Sequence, residues 1–234
     1  MKQVLVITGA SKGIGHATAA RFAQEGWDVI NLSRSSCDVA GVTNIAVDLT
    51  SPTWSQEHGE ALQSLVGTPQ RVCLVHNAAV MTKEMAQTLT SVTLRRVLEL
   101  NVVAPAELNR LLIPHMPADS SIIYISSTLG RKAVANTHAY VVSKHAAIGQ
   151  MRATCQDLAG TMIHTAAICP GFTETEMLSE HLGAHPEVLA QITSGIAHRR
   201  LAQPAEIAET IWFAAQNPVI NGAVLDANLG QIET

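Results

Sequence analysis

One pair of side chains in the sequence could carry acid–base chemistry. Tyr140 and Lys144 stand four residues apart in a helical segment, so they share one face of that helix. An ammonium about 4 Å from the phenol favours the phenolate by ~4 kcal/mol at an effective dielectric constant of ~20. That is ~3 pKa units, more than partial desolvation cancels, so we expect the pKa of Tyr140 to fall from ~10 toward working pH. The alternative is an exposed lysine beside a packed tyrosine.

A glycine-rich loop offers a second chemical function, the binding of phosphate. Residues 8–15 read Thr-Gly-Ala-Ser-Lys-Gly-Ile-Gly and lie between a buried apolar run and a helical pattern. Glycines let the backbone approach a ligand, and the free N–H groups of the following helix attract a pyrophosphate. The alternative is a strand-to-helix turn that binds nothing. On the first interpretation, a dinucleotide contacts Gly9, Ser11, Lys12, Gly13, Ile14 and Gly15.

Both features depend on elements that alternate along the chain. Short β-branched runs predict strands at residues 3–8, 27–33, 44–48, 71–76, 121–126, 162–168 and 223–226. Helical patterns between them cover residues 14–25, 53–66, 90–116, 138–159 and 204–215. Strands that are apolar on both faces and alternate with helices are typical of a parallel sheet covered on both sides. The sequence therefore predicts one doubly wound α/β domain of the Rossmann type over residues 1–234, with ligands at the carboxyl ends of its strands.

Composition excludes several other classes of protein. Hydrophobic residues make up 47% of the 234 residues and charged residues 15%, which excludes a disordered chain. A net charge of −4 without a run of Lys or Arg argues against a nucleic-acid or membrane partner. The first apolar run, residues 4–7, is too short for a signal or membrane segment, so we expect a cytoplasmic protein.

No metal site is expected from the cysteines and histidines. The four cysteines lie far apart and form no C-x-x-C motif, so neither a disulfide framework nor a zinc site is predicted. His181 and His185 could share a helix face and bind a metal ion. No third ligand accompanies them, and Gly183 weakens that helix.

The second predicted strand ends without the acidic residue that binds ribose hydroxyls in NAD-dependent folds. It ends instead at Ser33 and Arg34, which we expect to contact the cofactor. The Arg34 guanidinium can fork onto a 2′-phosphate, and Lys12 lies in the loop beside it. Two such charge-assisted bonds, at ~1.5–3 kcal/mol each, favour NADP(H) over NAD(H) by ~100-fold or more. Asp48 or the backbone of Leu49 could meet the adenine, and the alternative for both cations is a solvated surface position.

These features occur together with further motifs. Ser127 precedes Tyr140 by thirteen residues, and Lys144 follows it by four. Other motifs are His76-Asn77-Ala78-Ala79, Leu100-Asn101-Val102, Pro170-Gly171 with Thr173 and Thr175, and Arg199-Arg200-Leu201 followed by Pro204 and Glu206. With the glycine loop, they make the chain resemble the short-chain dehydrogenase/reductase family over nearly its whole length. The last motif resembles the branch of the β-ketoacyl carrier-protein reductases.

The resemblance implies a role for each matching residue. Tyr140 donates or accepts the substrate proton, Lys144 holds the nicotinamide ribose and lowers the pKa of Tyr140, and Ser127 orients the substrate oxygen. Asn101 positions a water in a proton relay. The other matches imply cofactor contacts at Asn77, Ala78, Pro170, Gly171, Thr173 and Thr175, besides those of Tyr140 and Lys144. The chain departs from the family pattern at His76, Ala79 and Asn228, which replace Asn, Gly and Asp.

Pro105 supports the assignment of Asn101 on physical grounds. A proline within a helix clashes with the carbonyl four residues earlier, which here belongs to Asn101. We expect the helix over residues 90–116 to kink there and to leave that carbonyl free to hold a water. The alternative is a helix that ends near Val103 and restarts at Pro105.

Three functions compete for this set of residues. The first is an NADP(H)-dependent oxidoreductase that interconverts a small ketone or aldehyde and an alcohol by direct hydride transfer. The second is a catalytically idle NAD(P)-binding sensor on the same fold, and the third is a dehydratase or epimerase of the family. Together, Asn101, Ser127, Tyr140 and Lys144 favour the enzyme, because a sensor needs no proton relay.

Assembly is expected to involve the two longest helical patterns. In relatives, the helices that match residues 90–116 and 138–159 pack against a second subunit, commonly within a tetramer. We therefore expect a homodimer or homotetramer, and the alternative is that these helices face only their own sheet. The small and apolar residues that would permit close approach are Ala146, Ala147, Ile148, Met151, Ala153 and Cys155.

Overall fold

A parallel sheet lies at the centre of the computed structural model, which describes residues 2–182 and 186–231. The strands within these residues are β1 (Gln3–Thr8), β2 (Asp28–Ser33), β3 (Thr43–Ala46), β4 (Arg71–His76), β5 (Ser121–Ile125), β6 (His164–Pro170) and β7 (Ala223–Ala227). Their order across the sheet is β3-β2-β1-β4-β5-β6-β7, and every neighbouring pair is parallel. The strand order reverses between β1 and β4, where doubly wound folds bind their ligands.

Helices cover both faces of this sheet. Within the described ranges they are α1 (Gly13–Gln24), α2 (Trp54–Val66), α3 (Ser91–Leu98), α4 (Ala104–Leu112), α5 (His138–Asp157), α6 (Glu176–Leu182), α7 (Pro186–Ser194) and α8 (Pro204–Gln216). The predicted doubly wound parallel α/β fold is confirmed, with strand ends that differ from the predicted ones by a few residues. Sequence patterns did not predict α6 and α7, because seven and nine residues make too few turns for a helical period to stand out.

Apolar side chains on both faces of the sheet hold the helices against it. Along β1, Val4 and Val6 enter a core that is shared with α2, α4 and α5. Leu5 and Ile7 point the other way, into a second core that is shared with α1 and α8. All four side chains are fully buried. The strand therefore shows no alternation between apolar and polar residues, as expected for a sheet covered on both sides.

The predicted long helix over residues 90–116 is not an α-helix throughout, which corrects the sequence prediction. A π-helical stretch, Glu99–Val103, separates α3 from α4. Pro105 lies in the first turn of α4, a position at which a missing N–H is tolerated. The distortion expected at Asn101 is therefore confirmed, and it takes the form of a widened turn rather than a break in the helix.

Candidate active site

Three positions in the glycine loop between β1 and α1 require glycine. Gly9 and Gly13 have φ angles of 71° and 58°, in the left-handed region that favours glycine. A Cβ on Gly15 would lie 2.2 Å from the carbonyl oxygen of Gly9, so a side chain there would push the loop apart. The N-terminus of α1 has neither a side-chain cap nor an acidic residue in its first turn. Its N–H groups therefore remain available to a phosphate.

The residues that follow β4 hold this loop in place. The side-chain amide of Asn77 donates to the carbonyl oxygens of Thr8 and Gly9, at 2.9 and 3.0 Å. The backbone N–H groups of Asn77 and Ala78 donate to the hydroxyl of Thr8, at 3.0 and 2.9 Å. Asn77 and Ala78 are predicted cofactor contacts, and the structure places both directly against the glycine loop.

A buried asparagine in β2 joins the glycine loop to the end of β2, and sequence reasoning missed it. The Asn31 side chain accepts from the N–H of Ala10 in the glycine loop at 2.9 Å. Its amide donates to the side chains of Ser33 and Asn44, both at 2.9 Å. The Ser33 hydroxyl in turn donates to the carbonyl of Ser35, so this predicted cofactor contact is also engaged within the protein. The signal that could have revealed Asn31 is a polar residue in the middle of an apolar strand.

The two cations predicted to bind the 2′-phosphate both have acidic neighbours. Lys12 forms an exposed ion pair with Glu180 of α6, with an N···O distance of 3.6 Å. Arg34 follows β2, as predicted, and lies near Asp48. Hydrogen bonds from Thr50 lower the pKa of Asp48 below its ordinary value, and the positive charge of Arg34 acts in the same direction. Neither cation is therefore an isolated charge in solvent.

An open cleft of about 660 Å³ lies beside the N-terminus of α1. The segment after β6 enters it, and there the Thr175 hydroxyl accepts from the N–H of Leu178 at 3.3 Å and so caps α6. The Thr173 hydroxyl donates to the carbonyl of Gly171 at 3.1 Å. The cleft is lined by Gly13, His16, Ala17, Glu174, Thr175, Glu176, Ser179, Glu180 and Pro204.

The predicted nicotinamide segment begins where β6 ends. Pro170 is the last residue of β6, and the N–H of Gly171 donates to the carbonyl of Ala227 in β7 at 3.0 Å. A Cβ on Gly171 would lie 2.8 Å from the Cβ of Asn228. Asn228, one of the departures from the family pattern, therefore packs directly against the turn that starts this segment.

The predicted catalytic side chains meet at the carboxyl end of β5. Tyr140 lies in the first turn of α5, and its hydroxyl is close enough to the side chain of Ser127 for that side chain to affect its pKa. The Ser127 hydroxyl also accepts from the N–H of Leu129 at 3.1 Å, which orients it. Lys144 lies one turn further along α5. Its ammonium donates to the carbonyl of Ile125 at 2.7 Å and lies 5.4 Å from the centroid of the Tyr140 ring.

The expected direction of the Tyr140 pKa is wrong for this structure. Burial raises the pKa of Tyr140 to about 12, and the nearby Ser127 side chain offsets only part of that rise. Burial also lowers the pKa of the Lys144 ammonium to about 8. The expected fall requires an ammonium close to the phenol oxygen, whereas Lys144 donates to the carbonyl of Ile125. Desolvation of the phenol is therefore the main cause of its pKa shift.

Asn101 connects the π-helical stretch to two other parts of the site. Its amide donates to the carbonyl of Val80 at 3.0 Å and to the hydroxyl of Ser143 at 2.9 Å. Its side-chain oxygen accepts from the N–H of Val80 at 2.9 Å. Ser143, on α5, donates to the carbonyl of Tyr140 at 2.8 Å. The structure thus brings Asn101 together with the loop after β4 and with the helix that carries Tyr140 and Lys144.

The departure from the family pattern at His76 belongs to a buried polar chain. The amide of Asn109 donates to the Tyr124 hydroxyl at 2.6 Å, and Tyr124 lies 3.0 Å from the Thr154 hydroxyl on α5. The side-chain oxygen of Asn109 therefore faces His76, whose Nε2 lies 2.9 Å away and donates to it. Burial lowers the pKa of His76 to about 4, so this imidazole is neutral near pH 7.

The described residues contain neither a cluster of metal ligands nor a membrane-spanning helix. No group of three or more His, Cys, Asp or Glu side chains in residues 2–182 and 186–231 could hold a metal ion. The side chain of His181 and the whole of His185 lie outside the described residues, so the pairing considered for them is not addressed. No helix in the same ranges is long and apolar enough to cross a membrane.

Known proteins share this sequence pattern. Residues 3–184 match the family model described as short chain dehydrogenase. Protein FixR of Bradyrhizobium diazoefficiens is 33% identical over an alignment of 247 positions, which covers 98% of this chain and 86% of FixR. The 3-oxoacyl-(acyl-carrier-protein) reductase FabG of Thermotoga maritima is 29% identical over an alignment of 246 positions, which covers 98% of each chain.

The fold is shared as well. The ligand-free aldohexose dehydrogenase of Thermoplasma acidophilum superimposes with a TM-score of 0.89 at 27% identity, over 100% of this chain and 97% of that chain. The family match and the relatives together indicate an oxidoreductase that acts on CH–OH or carbonyl groups. The chain belongs to the short-chain dehydrogenase family, and its likeness to FabG supports the predicted placement near the β-ketoacyl reductases.

Proposed function

We propose that the protein is an NADP(H)-dependent oxidoreductase that interconverts a ketone or aldehyde and an alcohol by direct hydride transfer, with Tyr140 as the acid and base. The observation that carries this proposal is the proximity of the Tyr140 and Ser127 side chains, beside the buried ammonium of Lys144. Two adjacent hydroxyl groups can both bind one substrate oxygen, which is the arrangement that proton transfer to a carbonyl oxygen needs.

The residues around the glycine loop fit a dinucleotide. Gly15 leaves a close approach that a Cβ would fill, and the uncapped N-terminus of α1 offers N–H groups to a pyrophosphate. Lys12 and Arg34 supply positive charge for a 2′-phosphate, while Thr173 and Thr175 would hold the nicotinamide end. When bound, the nicotinamide supplies or accepts the hydride, and the protein contributes orientation and electrostatics.

The proton step follows from the groups around Tyr140. The Tyr140 hydroxyl exchanges a proton with the substrate oxygen, and the Ser127 hydroxyl orients that oxygen. Because burial raises the pKa of Tyr140 to about 12, the phenol holds its proton at neutral pH, which suits the donation that carbonyl reduction needs. The pKa of Lys144, about 8, lets this group lose and regain a proton near neutral pH. Asn101 holds the loop after β4 against α5 and positions the water that continues the relay.

Consumption of NADPH with a panel of ketones and aldehydes tests the proposal. We expect turnover with at least one carbonyl, together with saturable NADPH binding in a fluorescence titration. Tight NADPH binding without turnover of any carbonyl or alcohol would instead support a sensor. Conversion of a substrate without net oxidation of NADPH would support a dehydratase or epimerase.

We also propose that the enzyme works in the cytoplasm on a small molecule, and that neither a nucleic acid nor a membrane is its partner. The net charge of −4 gives it no electrostatic attraction to an anionic surface. All four cysteines, Cys37, Cys73, Cys155 and Cys169, are free thiols, which supports a reducing compartment.

We propose that two subunits pair through α4 and α5, within a homodimer or homotetramer. On α5, Val142, Ala146, Gly149 and Ala153 follow helical spacing and are exposed or half-buried. Val142 is 40% exposed, and no atom lies within 4 Å of a Cβ built on Gly149. Val103, in the π-helical stretch next to α4, is 41% exposed. An apolar face of small residues permits a second helix to approach closely.

Three residues predicted for this interface do not face outward, which corrects that part of the sequence prediction. Ala147, Ile148 and Met151 are buried. Ile148 and Met151 belong to the core that packs on the sheet. The apolar positions of α5 therefore divide between two faces, and only one of them is left for a second subunit.

Light scattering is expected to give about two or four times the monomer mass. Gly149→Arg is expected to shift the protein toward monomer, because a long charged side chain cannot enter a close helix contact. Leu65→Arg on α2 is the control for adding an arginine to the surface. Leu65 is 40% exposed, like Val142, but lies outside the proposed face. A wild-type monomer at micromolar concentration with full activity would refute the interface.

A further inference from the structure

The loop after β4 is bonded to the start of α5 through the backbone of Glu84. The chain forms a parallel bridge between Glu84 and Thr137. The N–H of Glu84 donates to the carbonyl of Asn136 at 3.2 Å, and the N–H of His138 donates to the carbonyl of Glu84 at 3.3 Å. Glu84 is therefore held on both sides by residues at the beginning of the helix that carries Tyr140.

The side chain of Glu84 caps the same helix. One carboxyl oxygen accepts from the N–H of Ala139 at 2.7 Å, in a residue that is only 7% exposed. The other carboxyl oxygen is buried without a hydrogen-bond partner among the described residues. Thr137, at the N-cap position, makes no capping bond to α5, and its hydroxyl donates instead to the carbonyl of Val134 at 2.7 Å. A residue from a distant part of the chain thus takes over the role of the cap.

This cap lies next to the tyrosine in the chain. Ala139 immediately precedes Tyr140, so the bond from Ala139 to Glu84 fixes the turn from which the phenol extends. The other end of the same loop is fixed as well, since Val80 exchanges two hydrogen bonds with the side chain of Asn101. The loop after β4 therefore connects the π-helical stretch with the first turn of α5.

We propose that Glu84 is a positioning residue for Tyr140. Its buried carboxyl oxygen holds the first turn of α5 so that the Tyr140 hydroxyl stays beside the Ser127 side chain. The inference rests on the proposed function, because it concerns the group that transfers the proton there. Burying a carboxyl group with one unpaired oxygen is unfavourable. A cap from Thr137 would hold the helix without that cost. The cap from Glu84 is therefore explained by its effect on the position of Tyr140.

Two variants of Glu84 separate the role of its acceptor oxygen from that of its carboxylate charge. Glu84→Ala removes the acceptor, and we expect kcat to fall about ten- to hundredfold with little change in the dissociation constant of NADPH. Glu84→Gln keeps an acceptor oxygen at the same reach and is expected to retain most of the wild-type kcat. Glu60→Ala, at an exposed glutamate on α2, is the matched control and is expected to behave as the wild type.

Two readouts distinguish positioning from general loss of structure. The pH profile of kcat is expected to shift in Glu84→Ala and to stay in place in Glu84→Gln, because only the first moves the Tyr140 hydroxyl away from Ser127. Amide hydrogen exchange over residues 137–142 is expected to become faster in Glu84→Ala alone, in the absence of substrate.

The inference is overturned if Glu84→Ala keeps the wild-type kcat and pH profile, or if Glu84→Gln loses as much kcat as Glu84→Ala. If Glu84→Ala does not fold, Glu84→Asp takes its place, since a side chain shorter by one methylene withdraws the acceptor from Ala139. A wild-type protein that turns over no carbonyl overturns the proposed function. In that case the exchange rates still decide whether Glu84 holds the start of α5.

Discussion

Replacement of Tyr140 by Phe is expected to lower kcat about 10²- to 10⁴-fold, the range that general acid–base catalysis contributes, and to leave the dissociation constant of NADPH nearly unchanged. The substitution removes only the hydroxyl that lies near Ser127. It keeps the aromatic ring beside the Lys144 ammonium. Steady-state kinetics with the best carbonyl substrate of the panel and a fluorescence titration with NADPH measure the two quantities.

The only other tyrosine in the chain, Tyr124, provides the matched control. Tyr124→Phe also removes a buried hydroxyl, which is bonded to Asn109 and Thr154. We expect it to lower the free energy of unfolding by ~1 kcal/mol or more and to leave kcat within a few-fold of the wild type. Normal turnover by Tyr140→Phe would exclude Tyr140 as the acid and base. An equal loss in both variants would attribute the effect to stability.

Replacement of Arg34 by Asp is expected to weaken NADPH binding about 100-fold and to strengthen NADH binding relative to it. The substitution removes a charge-assisted hydrogen bond to the 2′-phosphate, worth ~1.5–3 kcal/mol, and puts a like charge in its place. The new carboxylate can accept hydrogen bonds from the ribose hydroxyls of NADH. Titration of both cofactors against the wild type and the variant measures the change in preference.

Arg34→Ala separates the two parts of that effect. It removes the cation without adding an acceptor, so it is expected to weaken NADPH binding and to leave NADH binding unchanged. A gain in NADH affinity in Arg34→Ala would show that the effect of Asp is not the new acceptor. Equal affinities of the wild type for NADH and NADPH would contradict the assigned preference altogether.

The positions of the strands along the chain could be predicted because burial on both faces leaves a simple pattern in the sequence. The run Val4, Leu5, Val6 and Ile7 in β1 is apolar at every position, and each side chain is fully buried. Helix α7 carries no comparable mark, because it is short and most of its described residues are exposed. A short helix on the surface looks like a loop in the sequence.

That Tyr140 and Lys144 lie together could be predicted, but the electrostatics around them could not. A spacing of four residues puts Tyr140 and Lys144 on one helix face whatever packs against it. The acceptor that the Lys144 ammonium meets is the carbonyl of Ile125 in β5, and only the folded chain brings it there. The direction of the Tyr140 pKa depends on that orientation and on burial, which is why the sequence argument gave the wrong sign.

Asn31 and Glu84 were missed for a different reason. Their partners are the backbone N–H groups of Ala10 and Ala139, which lie 21 and 55 residues away along the chain. Every residue other than proline has such a group, so the residue type at the receiving position carries no information. Only the accepting side chain can be recognised in the sequence. Asn31 is a polar residue in an apolar strand, and Glu84 is a carboxyl group in a loop.

The π-helical stretch Glu99–Val103 sets the rotational phase of the helix that follows it. A π turn holds more residues than an α turn, and each residue of an α-helix advances the helix by about 100°. Loss of one residue between Asn101 and Pro105 would therefore turn α4 by about that angle and carry Leu108 away from the core. The spacing of Asn101 and Pro105 is thus constrained by packing, independently of what either residue does chemically.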